Sequence, residues 1–353
     1  MRKSALPTVP ARYLVWAMQL AEARATDCSA LPAVGGLTRA QLEAPDAMVS
    51  QRQFDAMLHR LVLSGAHSEL GFELGMQLNL SSHDLLGYAL LSSTTLDVCL
   101  RLTQRYYRLI TPSFRLQYQR LGEEAELLFT PVQPMMPETL YFHEEAIAVA
   151  TYRHLCSLLQ RPLARGRIFL SMPQPRHAAR YRELGGVPVQ FQASALPGVR
   201  IVLAASELDL RLPLANERAR ATAEHHCRQL MQHVKQQSSW KDWVAMMLNA
   251  AVDCQPKLDE LAGLLNIAGR TLDRYLRKEG TTFRVLALEI RNRRAQALLG
   301  DDSLPVSQIA YRLGYTDVAN FGHAFRAMNG CSPSDYRRAR AALKECAAPS
   351  SPS

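Results

Sequence analysis

Two stretches in the last third of the chain share one helical pattern, and this repetition constrains the fold more than any other feature. The first is LDELAGLLNIAGRTLDRYLR (258–277), in which apolar residues recur at helical spacing around a small Ala262 and around Asn266. A small residue lets two crossing helices approach, and asparagine is the best substitute for glycine at a turn with positive φ. The pattern predicts a helix-turn-helix whose second helix spans 268–279.

The second stretch, VSQIAYRLGYTDVANFGHAFR (306–326), repeats the arrangement. Its turn residue, Gly314, follows Asn266 by 48 positions, and Phe321 and Phe325 supply the apolar side of the second helix. A single pattern of this kind occurs in many helical pairs. Two in tandem are a much stronger indication of a double helix-turn-helix unit.

Between the two stretches, Phe283, Leu286, Ile290 and Ala297 recur at helical steps and predict a connecting helix. A helix of about 17 residues is roughly 25 Å long. With its flanking turns it could hold the two second helices about 34 Å apart, which is one turn of DNA. One chain could then enter two successive major grooves on the same face of a duplex.

The charge of the chain favours a polyanionic partner. Lys+Arg number 41 against 32 Asp+Glu, a net charge of +9. Residues 256–340 contain 14 Lys+Arg and 9 Asp+Glu, so 14 − 9 gives +5 of that total. A concentrated basic excess speaks to association with a partner such as nucleic acid rather than to fold.

The exposed sides of the two second helices carry residue types that contact DNA. Arginine can pair with guanine, asparagine with adenine, and an apolar side chain can touch a thymine methyl group. The residues predicted to face bases are Arg270, Thr271, Asp273, Arg274, Val318, Ala319, Asn320 and His323. Those predicted to contact phosphates are Arg277, Lys278, Arg326, Arg337 and Arg338. The alternative is that these residues only form the solvated faces of a helical bundle. We expect Arg293 and Arg294 to be structural and to pair with acids such as Glu289.

The first two thirds of the chain mix helical and strand periodicity. Alternation in Phe114–Tyr118 and Ala125–Phe129, on either side of a Gly122 turn, predicts a hairpin. The other predicted elements are helices over 13–21, 49–64, 96–110, 138–160 and 178–184, and strands over 168–172, 189–193 and 199–204. The expected architecture is therefore an α+β domain followed by an all-α domain with two helix-turn-helix motifs joined by a helix.

Changes in composition give the expected domain limits. Residues 1–215 form the α+β domain, 216–239 a polar helix and joint, 240–340 the tandem helical unit and 341–353 a disordered tail. No uninterrupted apolar stretch approaches the length of a membrane span. We interpret the apolar patch Tyr13–Ala21 as a first helix, with a signal peptide as the alternative. The seven cysteines are an odd number with no CxxC spacing, which favours reduced thiols in the cytoplasm.

Catalytic and metal motifs are not found in the sequence. It contains no P-loop, no GxGxxG and no GxSxG, and HExxH fails because Ile147 stands where a second histidine is needed. His226 and His233 could share a helix face near Cys227, but a solvated or partner-facing helix is the more common explanation. We predict no catalytic residue, no metal and no cofactor.

Two resemblances agree with this interpretation. LAGLLNIAGRTLDRYLRKEGTTF, RNRRAQALL and IAYRLGYTDVANFGHAFRAMNGCSPSDYRR resemble the DNA-binding domain of AraC/XylS-family transcriptional regulators. DLLGYALLSSTTLDVCLRLTQRYYRLITP (84–112) and LDLRLPLAN (208–216) resemble the arabinose-binding-type N-terminal domain of ornithine-utilisation-type regulators. Together the two resemblances cover most of the chain.

The resemblance implies a cytoplasmic activator that binds promoter DNA as a homodimer, contacts RNA polymerase and responds to a small molecule. The effector stays open between a sugar, an amino acid and a fatty acid. Tyr106, Tyr107 and Tyr141 could line its pocket, although aromatic residues of a core are more common. Two alternatives are a constitutive DNA-binding regulator whose first domain only dimerises, and a metabolite-binding or enzymatic first domain with a vestigial DNA-binding unit.

Three positions depart from the family pattern. Ala268-Gly269 stand where the family usually has Ser-Pro, so a helix cap worth about 1 kcal/mol is expected to be missing. Asp273 replaces a common Gln or Arg, and its acid could accept from a cytosine amino group. His323 replaces a common Arg. These changes affect which bases are recognised and leave the scaffold intact.

Overall fold

The computed structural model describes residues 8–45, 47–63, 69–163, 165–231, 239–251, 256–265, 267–300 and 304–347. The chain divides into two compact units between Ser239 and Trp240. The first unit combines helices with a β-sheet, and all the elements described in the second are helices. The predicted succession of an α+β and an all-α domain is therefore confirmed.

The first unit begins with helices and two short strands and continues into alternating strands and helices. Its strands are β1 (Thr8–Pro10), β2 (Met48–Ser50), β3 (Phe114–Leu121), β4 (Glu124–Pro131), β5 (Arg167–Leu170), β6 (Val189–Gln190) and β7 (Val199–Ala204). Its helices are α1 (Arg12–Glu22), α2 (Leu31–Val34), α3 (Arg39–Leu42), α4 (Gln51–Leu63), α5 (Leu70–Gln77), α6 (Asp84–Leu91), α7 (Leu96–Tyr106), α8 (Pro137–Leu159) and α9 (Glu217–Met231). Short 3₁₀ helices cover 80–83, 107–109, 178–184 and 205–207.

The five-stranded sheet has the order β3-β4-β7-β5-β6, with the predicted hairpin at one edge. The β3–β4, β4–β7 and β5–β7 pairs are antiparallel, and β5–β6 is parallel. In the register, Leu127 lies opposite Ile201, which in turn lies opposite Ile168. We predicted a strand over 189–193, but β6 has only two residues because Gln192 adopts φ +52° and leaves the extended conformation.

Helix α8 lies at the centre of the first unit, between α4, α5 and the sheet. Two glycines of α5, Gly71 and Gly75, bring it close to α8. A Cβ atom at Gly71 would lie 2.5 Å from the Phe142 carbonyl oxygen, and one at Gly75 would lie 2.7 Å from Cβ of Val149. Only glycine permits this separation, so the two helices pack backbone against backbone.

Helix α9 belongs to the first unit and is not a free linker. Ala223 and Cys227 are buried where α9 packs against α6 and α7. The buried Glu224 carboxylate accepts hydrogen bonds from Arg105 at 2.8 Å and Arg220 at 2.5 Å. The polar helix predicted over 216–237 therefore has one apolar side against the α+β domain. Residues 232–238 lie outside the described residues.

The second unit consists of α10 (Trp240–Ala250), α11 (Leu258–Leu264), α12 (Gly269–Lys278), α13 (Phe283–Leu299), α14 (Val306–Arg312), α15 (Val318–Asn329) and α16 (Pro333–Ala347). Helices α11–α12 and α14–α15 are the two predicted helix-turn-helix pairs, and α13 is the connecting helix with the expected 17 residues. Gly314 ends α14 with φ +77°, as its turn position requires. Asn266, its counterpart, lies outside the described residues.

The last helix continues beyond the expected boundary at residue 340. Helix α16 ends at Ala347, so 341–347 are helical where we expected a disordered tail. The sequence of this segment, AALKECA, explains the correction because alanine, leucine, lysine and glutamate favour helix. None of the described helices is long and apolar enough to cross a membrane.

The close approach of α5 and α8 leads to a stability prediction. Gly71→Ala places a methyl group 2.5 Å from a backbone oxygen, so we expect the free energy of unfolding to fall by about 1–3 kcal/mol. Urea titration followed by circular dichroism measures the change. Gln77→Ala, on the exposed end of the same helix, is the control and should stay within about 0.5 kcal/mol. Equal stability of the two variants would contradict the packing argument.

Candidate functional site

Helix α12 presents its predicted contact residues on the side opposite its buried residues. Leu272 and Leu276 are buried against the unit. Of the residues predicted to face or grip DNA, Arg270, Arg274, Arg277 and Lys278 are exposed, and Thr271 and Asp273 are half-buried. The helix therefore offers a dense row of cations to solvent, as the sequence pattern predicted.

The start of α12 lacks the usual side-chain cap, because Ala268 at that position makes no capping hydrogen bond. A carboxylate from the first helix of the pair lies there instead. A Cβ atom at Gly269 would lie 2.0 Å from Oδ1 of Asp259, so only glycine leaves room for this acid. Negative charge at a helix N-terminus is stabilising. Asp259 and Gly269 together thus offset the departure from the Ser-Pro pattern.

Asp273 has an internal partner on the same helix. Its Oδ2 accepts a hydrogen bond from Nε of Arg277 at 2.8 Å, one turn later. This ion pair neutralises the acid that would otherwise repel phosphates. It also holds the Arg277 side chain along the helix, so these two predicted contact residues act together.

The C-terminal end of α12 is fixed to α10. The Glu279 carboxylate accepts from the backbone N–H of Trp240 at 3.0 Å and of Lys241 at 2.8 Å, the first residues of α10. The Trp240 ring stacks on Tyr275 with centroids 4.9 Å apart. One side chain of the recognition segment therefore satisfies two free N–H groups of another helix.

Helix α15 carries the second set of predicted base-facing residues. Val318, Ala319, Asn320 and His323 are exposed, and Phe321 and Phe325 are buried. Asp317 begins the helix, and its Oδ1 accepts from the Asn320 backbone N–H at 2.7 Å. The Asn320 side-chain amide donates to Asp317 Oδ2 at 2.6 Å, so its orientation is set by the helix cap.

The other predicted phosphate contacts divide into two groups. Arg326 and Arg338 are exposed, and Arg338 forms an ion pair with Asp335. Arg337 is half-buried and donates from Nη2 to the Leu304 carbonyl oxygen at 2.7 Å, joining α16 to the loop after α13. This contact gives Arg337 a structural role, which the sequence pattern did not indicate.

Helix α13 connects the two pairs through polar contacts. Arg294 donates from Nη2 to the carbonyl oxygens of Leu248, Asn249 and Ala251 at 2.6–2.8 Å, at the C-terminal end of α10. Its structural role is as predicted, but its partners are carbonyls and not acids. Arg293 lies 3.9 Å from the expected Glu289.

Asn329, near the end of α15, forms a second set of contacts with α13. Its Nδ2 donates to Oδ1 of Asn292 at 2.6 Å, and its Oδ1 accepts from Nε2 of Gln296 at 2.6 Å. The first recognition helix is therefore connected to α13 through α10, and the second is connected directly.

The first unit contains a pocket with about 850 Å³ of empty volume, part of which opens to solvent. It lies among α5, α7, α8 and strands β3 and β4. One face of α8 contributes His143, Ala146, Ala150 and His154, at helical spacing. The mainly apolar lining with a few polar groups is typical of a small-molecule site.

Three imidazoles line this pocket. His83 Nδ1, His143 Nε2 and His154 Nε2 are buried and have no hydrogen-bond partner in the described structure. Burial lowers the pKa of His83 to about 3 and the pKa of His143 and His154 to about 4. All three rings are therefore neutral at physiological pH, and each has one buried ring nitrogen without a hydrogen-bond partner among the described residues.

Residue patterns along the chain do not reveal the position of this pocket. Of the three tyrosines considered for it, Tyr107 lines it, whereas Tyr106 is buried elsewhere with its hydroxyl 3.4 Å from Glu224, and Tyr141 is not among the lining residues. The signal that could have located the pocket is the helical spacing of small residues and histidines along α8, which places them on one helix face. His225 and His226 are exposed on α9, and the described residues contain no cluster of three metal-ligating side chains. His233 lies outside the described residues.

Comparisons with known proteins agree with this two-unit organisation. Residues 26–214 match the arabinose-binding domain of AraC transcription regulators, N-terminal, and 261–339 match a helix-turn-helix domain. The ornithine utilization regulator of Pseudomonas aeruginosa is 31% identical over 298 residues, which are 84% of this chain and 87% of that protein. The HTH-type transcriptional regulator VqsM of the same organism is 26% identical over 304 residues, or 83% and 91% of the two chains. The crystal structure of the transcriptional regulator CdpR from Pseudomonas aeruginosa has 24% identity and a TM-score of 0.42, and the match covers 90% of this chain and 98% of that one.

The matched domains and relatives define the class as a DNA-binding transcriptional regulator and not an enzyme. Within that class, the chain belongs to the AraC family, and its first unit is the arabinose-binding-type N-terminal domain of that family.

The buried histidines give a pH prediction. Between the pKa of His143 in the folded protein, about 4, and its unfolded value near 6.5, the unfolded chain binds a proton that the folded protein does not. Stability therefore falls as the pH is lowered through this window. His143→Phe removes this titration, so the stability lost between pH 7 and pH 5 should be smaller than in the wild type by about 2 kcal/mol.

Urea unfolding at the two pH values measures this difference. His226→Phe, which changes an exposed histidine, is the control and should follow the wild-type pH dependence. Parallel curves for His143→Phe and the wild type would show that His143 is protonated equally in both states.

Proposed function

We propose that this protein is a cytoplasmic transcription activator that binds promoter DNA as a homodimer, contacts RNA polymerase and is controlled by a small molecule in its first unit. The observation that carries the DNA part of the proposal is the exposed row of cations on α12, matched by exposed polar and apolar residues on α15. The observation that carries the effector part is the pocket with three unpartnered imidazole nitrogens.

On α12, Arg270 and Arg274 are the proposed base readers. Both are exposed, and neither takes part in the described hydrogen bonds that fix the helix to its unit. The Arg274 guanidinium carbon lies 5.7 Å from the centroid of the Tyr275 ring. Thr271 and Asp273 complete this face. On α15 the proposed base readers are Val318, Ala319, Asn320 and His323. Arg277, Lys278, Arg326 and Arg338 are the proposed phosphate contacts.

If α12 reads bases, removing two arginines from it should weaken binding to the operator more than removing two arginines from another helix. Arg270→Ala with Arg274→Ala should weaken binding to the operator at least tenfold, because each guanine contact is worth about 1–3 kcal/mol. Fluorescence anisotropy on DNA upstream of the gene, against unrelated DNA at two salt concentrations, measures both specific and non-specific binding. Loss of specific binding with non-specific binding retained is the expected result.

Arg284→Ala with Arg293→Ala is the control, since it removes the same two charges from α13. This double variant should keep its preference for the operator. If both double variants lose affinity equally for all DNA, the contribution of α12 is only electrostatic, and the base-reading assignment fails.

Effector control requires that the ligand bind the two states of the protein with unequal affinity. Binding in the pocket would change how tightly the protein, as a dimer, binds its operator. The competing possibility is a constitutive regulator whose first unit only dimerises. Sedimentation velocity on the purified chain tests the dimer, and transcription in vitro with RNA polymerase tests the sign of regulation, since a repressor would lower the transcript yield.

A pocket-filling variant tests control by the first unit. Ala150→Trp adds an indole to the α8 face of the pocket, so a reporter driven by the operator should lose its response to added compounds. The compounds supplied to cells are an amino acid, a sugar, a fatty acid and a fatty alcohol series. Ala221→Trp, at an exposed position of α9, is the control and should respond like the wild type. An unchanged response in Ala150→Trp would place control outside the pocket, and no response in the wild type would favour the constitutive regulator.

A further inference from the structure

The pocket in the first unit has a lining whose chemistry restricts its ligand. Its 24 lining residues include no Asp, Glu, Lys or Arg. Most are aliphatic or aromatic, and His83, His143 and His154 are the titratable bases among them. A ligand that enters this pocket exchanges water for hydrocarbon over most of its surface.

A sugar does not suit these surroundings. Each hydroxyl of a polyol must find a partner when water is removed, because a buried polar group without a hydrogen bond is costly. Two of the hydroxyl groups in the lining are already used, since Tyr13 donates to the Ile110 carbonyl at 3.1 Å and Thr103 to the Cys99 carbonyl at 2.8 Å. The other polar groups of the lining are those of Tyr107, Thr111, Thr151 and the three imidazoles, and the remaining side chains are mainly apolar, which suits one or two ligand hydroxyl groups better than a ring of them.

A carboxylate is also disfavoured. The lining contains no arginine or lysine to balance its charge. Protonated imidazole would be the remaining counter-charge, but burial lowers the pKa of His143 and His154 to about 4, so protonating either ring to pair a carboxylate carries an energetic cost. A buried carboxylate without a partner is costly.

The unpartnered ring nitrogens point to a hydroxyl group. His143 is 6% exposed, stacks on Phe54 with centroids 5.3 Å apart, and leaves Nε2 unpaired. The rings of His83 and His154 meet edge to face at 5.2 Å, each with one unpaired nitrogen. A hydroxyl group can both donate and accept, so it satisfies either tautomer of these rings.

We propose that the pocket binds an uncharged amphiphile, with an apolar body and one or two hydroxyl groups that hydrogen-bond the buried imidazoles. This inference deepens the effector control proposed above and rests on it only for the consequence at DNA. The ligand class is that of a medium-chain or aromatic alcohol, which excludes the sugar suggested by the family name of the domain.

Four compounds test the proposal on the full-length protein: three have an eight-carbon chain and differ in their polar group, and one is a sugar. They are octan-1-ol, octanoate, methyl octanoate and L-arabinose. Octan-1-ol should raise Tm and bind at least tenfold more tightly than octanoate. Methyl octanoate, which has no hydroxyl group, should bind more weakly than octan-1-ol, and L-arabinose should give no shift. Isothermal titration calorimetry supplies the dissociation constants.

Two variants connect binding to the pocket. Ala150→Trp fills it and should abolish octan-1-ol binding. His143→Phe keeps an aromatic ring but removes the acceptor, and should reduce the octan-1-ol affinity to that of methyl octanoate. His226→Phe is the exposed control and should bind all four probes like the wild type. Urea unfolding followed by circular dichroism shows that the first unit of each variant is folded.

Three results would overturn the inference: octanoate or L-arabinose binding as tightly as octan-1-ol, no binding of octan-1-ol to the wild type, or unchanged binding in Ala150→Trp. Operator affinity measured with octan-1-ol present separates the two proposals. Octan-1-ol bound in the pocket without any change in operator affinity supports the ligand class and contradicts effector control.

Discussion

The DNA-binding unit depends on one half-buried guanidinium. Arg294, in the middle of the connecting helix α13, donates to three carbonyl groups at the end of α10, where a helix otherwise leaves its last carbonyls without partners. Burial lowers the pKa of Arg294, but the group stays charged, so the hydrogen bonds are charge-assisted. Because α10 in turn holds α12 through Glu279, the position of the first recognition helix follows from this contact. The amide contacts of Asn329 do the same for the second.

The helices of the two units are held together by different kinds of contact. In the first, Gly71 and Gly75 let α5 and α8 meet backbone to backbone, and α8 then has its other faces free for the sheet and the pocket. In the second, short helices carry few buried residues each, and polar contacts between helix ends supplement a small apolar core around Phe321 and Phe325. This protein thus combines a first unit that contains a partly open pocket with a second unit whose helices are fixed at their ends.

The sequence predicted the double helix-turn-helix and the 17-residue connecting helix because both depend on local periodicity and turn residues. It also predicted the hairpin, since Phe114 and Phe129 alternate with polar neighbours. The pocket was not predictable in this way, because its lining comes from segments between residues 13 and 158 that only the fold brings together. The carbonyl partners of Arg294 and Arg337 were not predictable for a similar reason. Every residue has a backbone carbonyl group, so no residue type marks it as a partner, and the sequence predicts acids or phosphates as the partners of an arginine.

The contact between Glu279 and the start of α10 has a mechanical consequence. The first unit ends at Ser239, and the next two peptide groups are those held by the Glu279 carboxylate at the end of the recognition segment. The beginning of α10 and the end of α12 are therefore held by one carboxylate, and breaking its contact would leave two N–H groups of α10 without partners and free both helix ends at once.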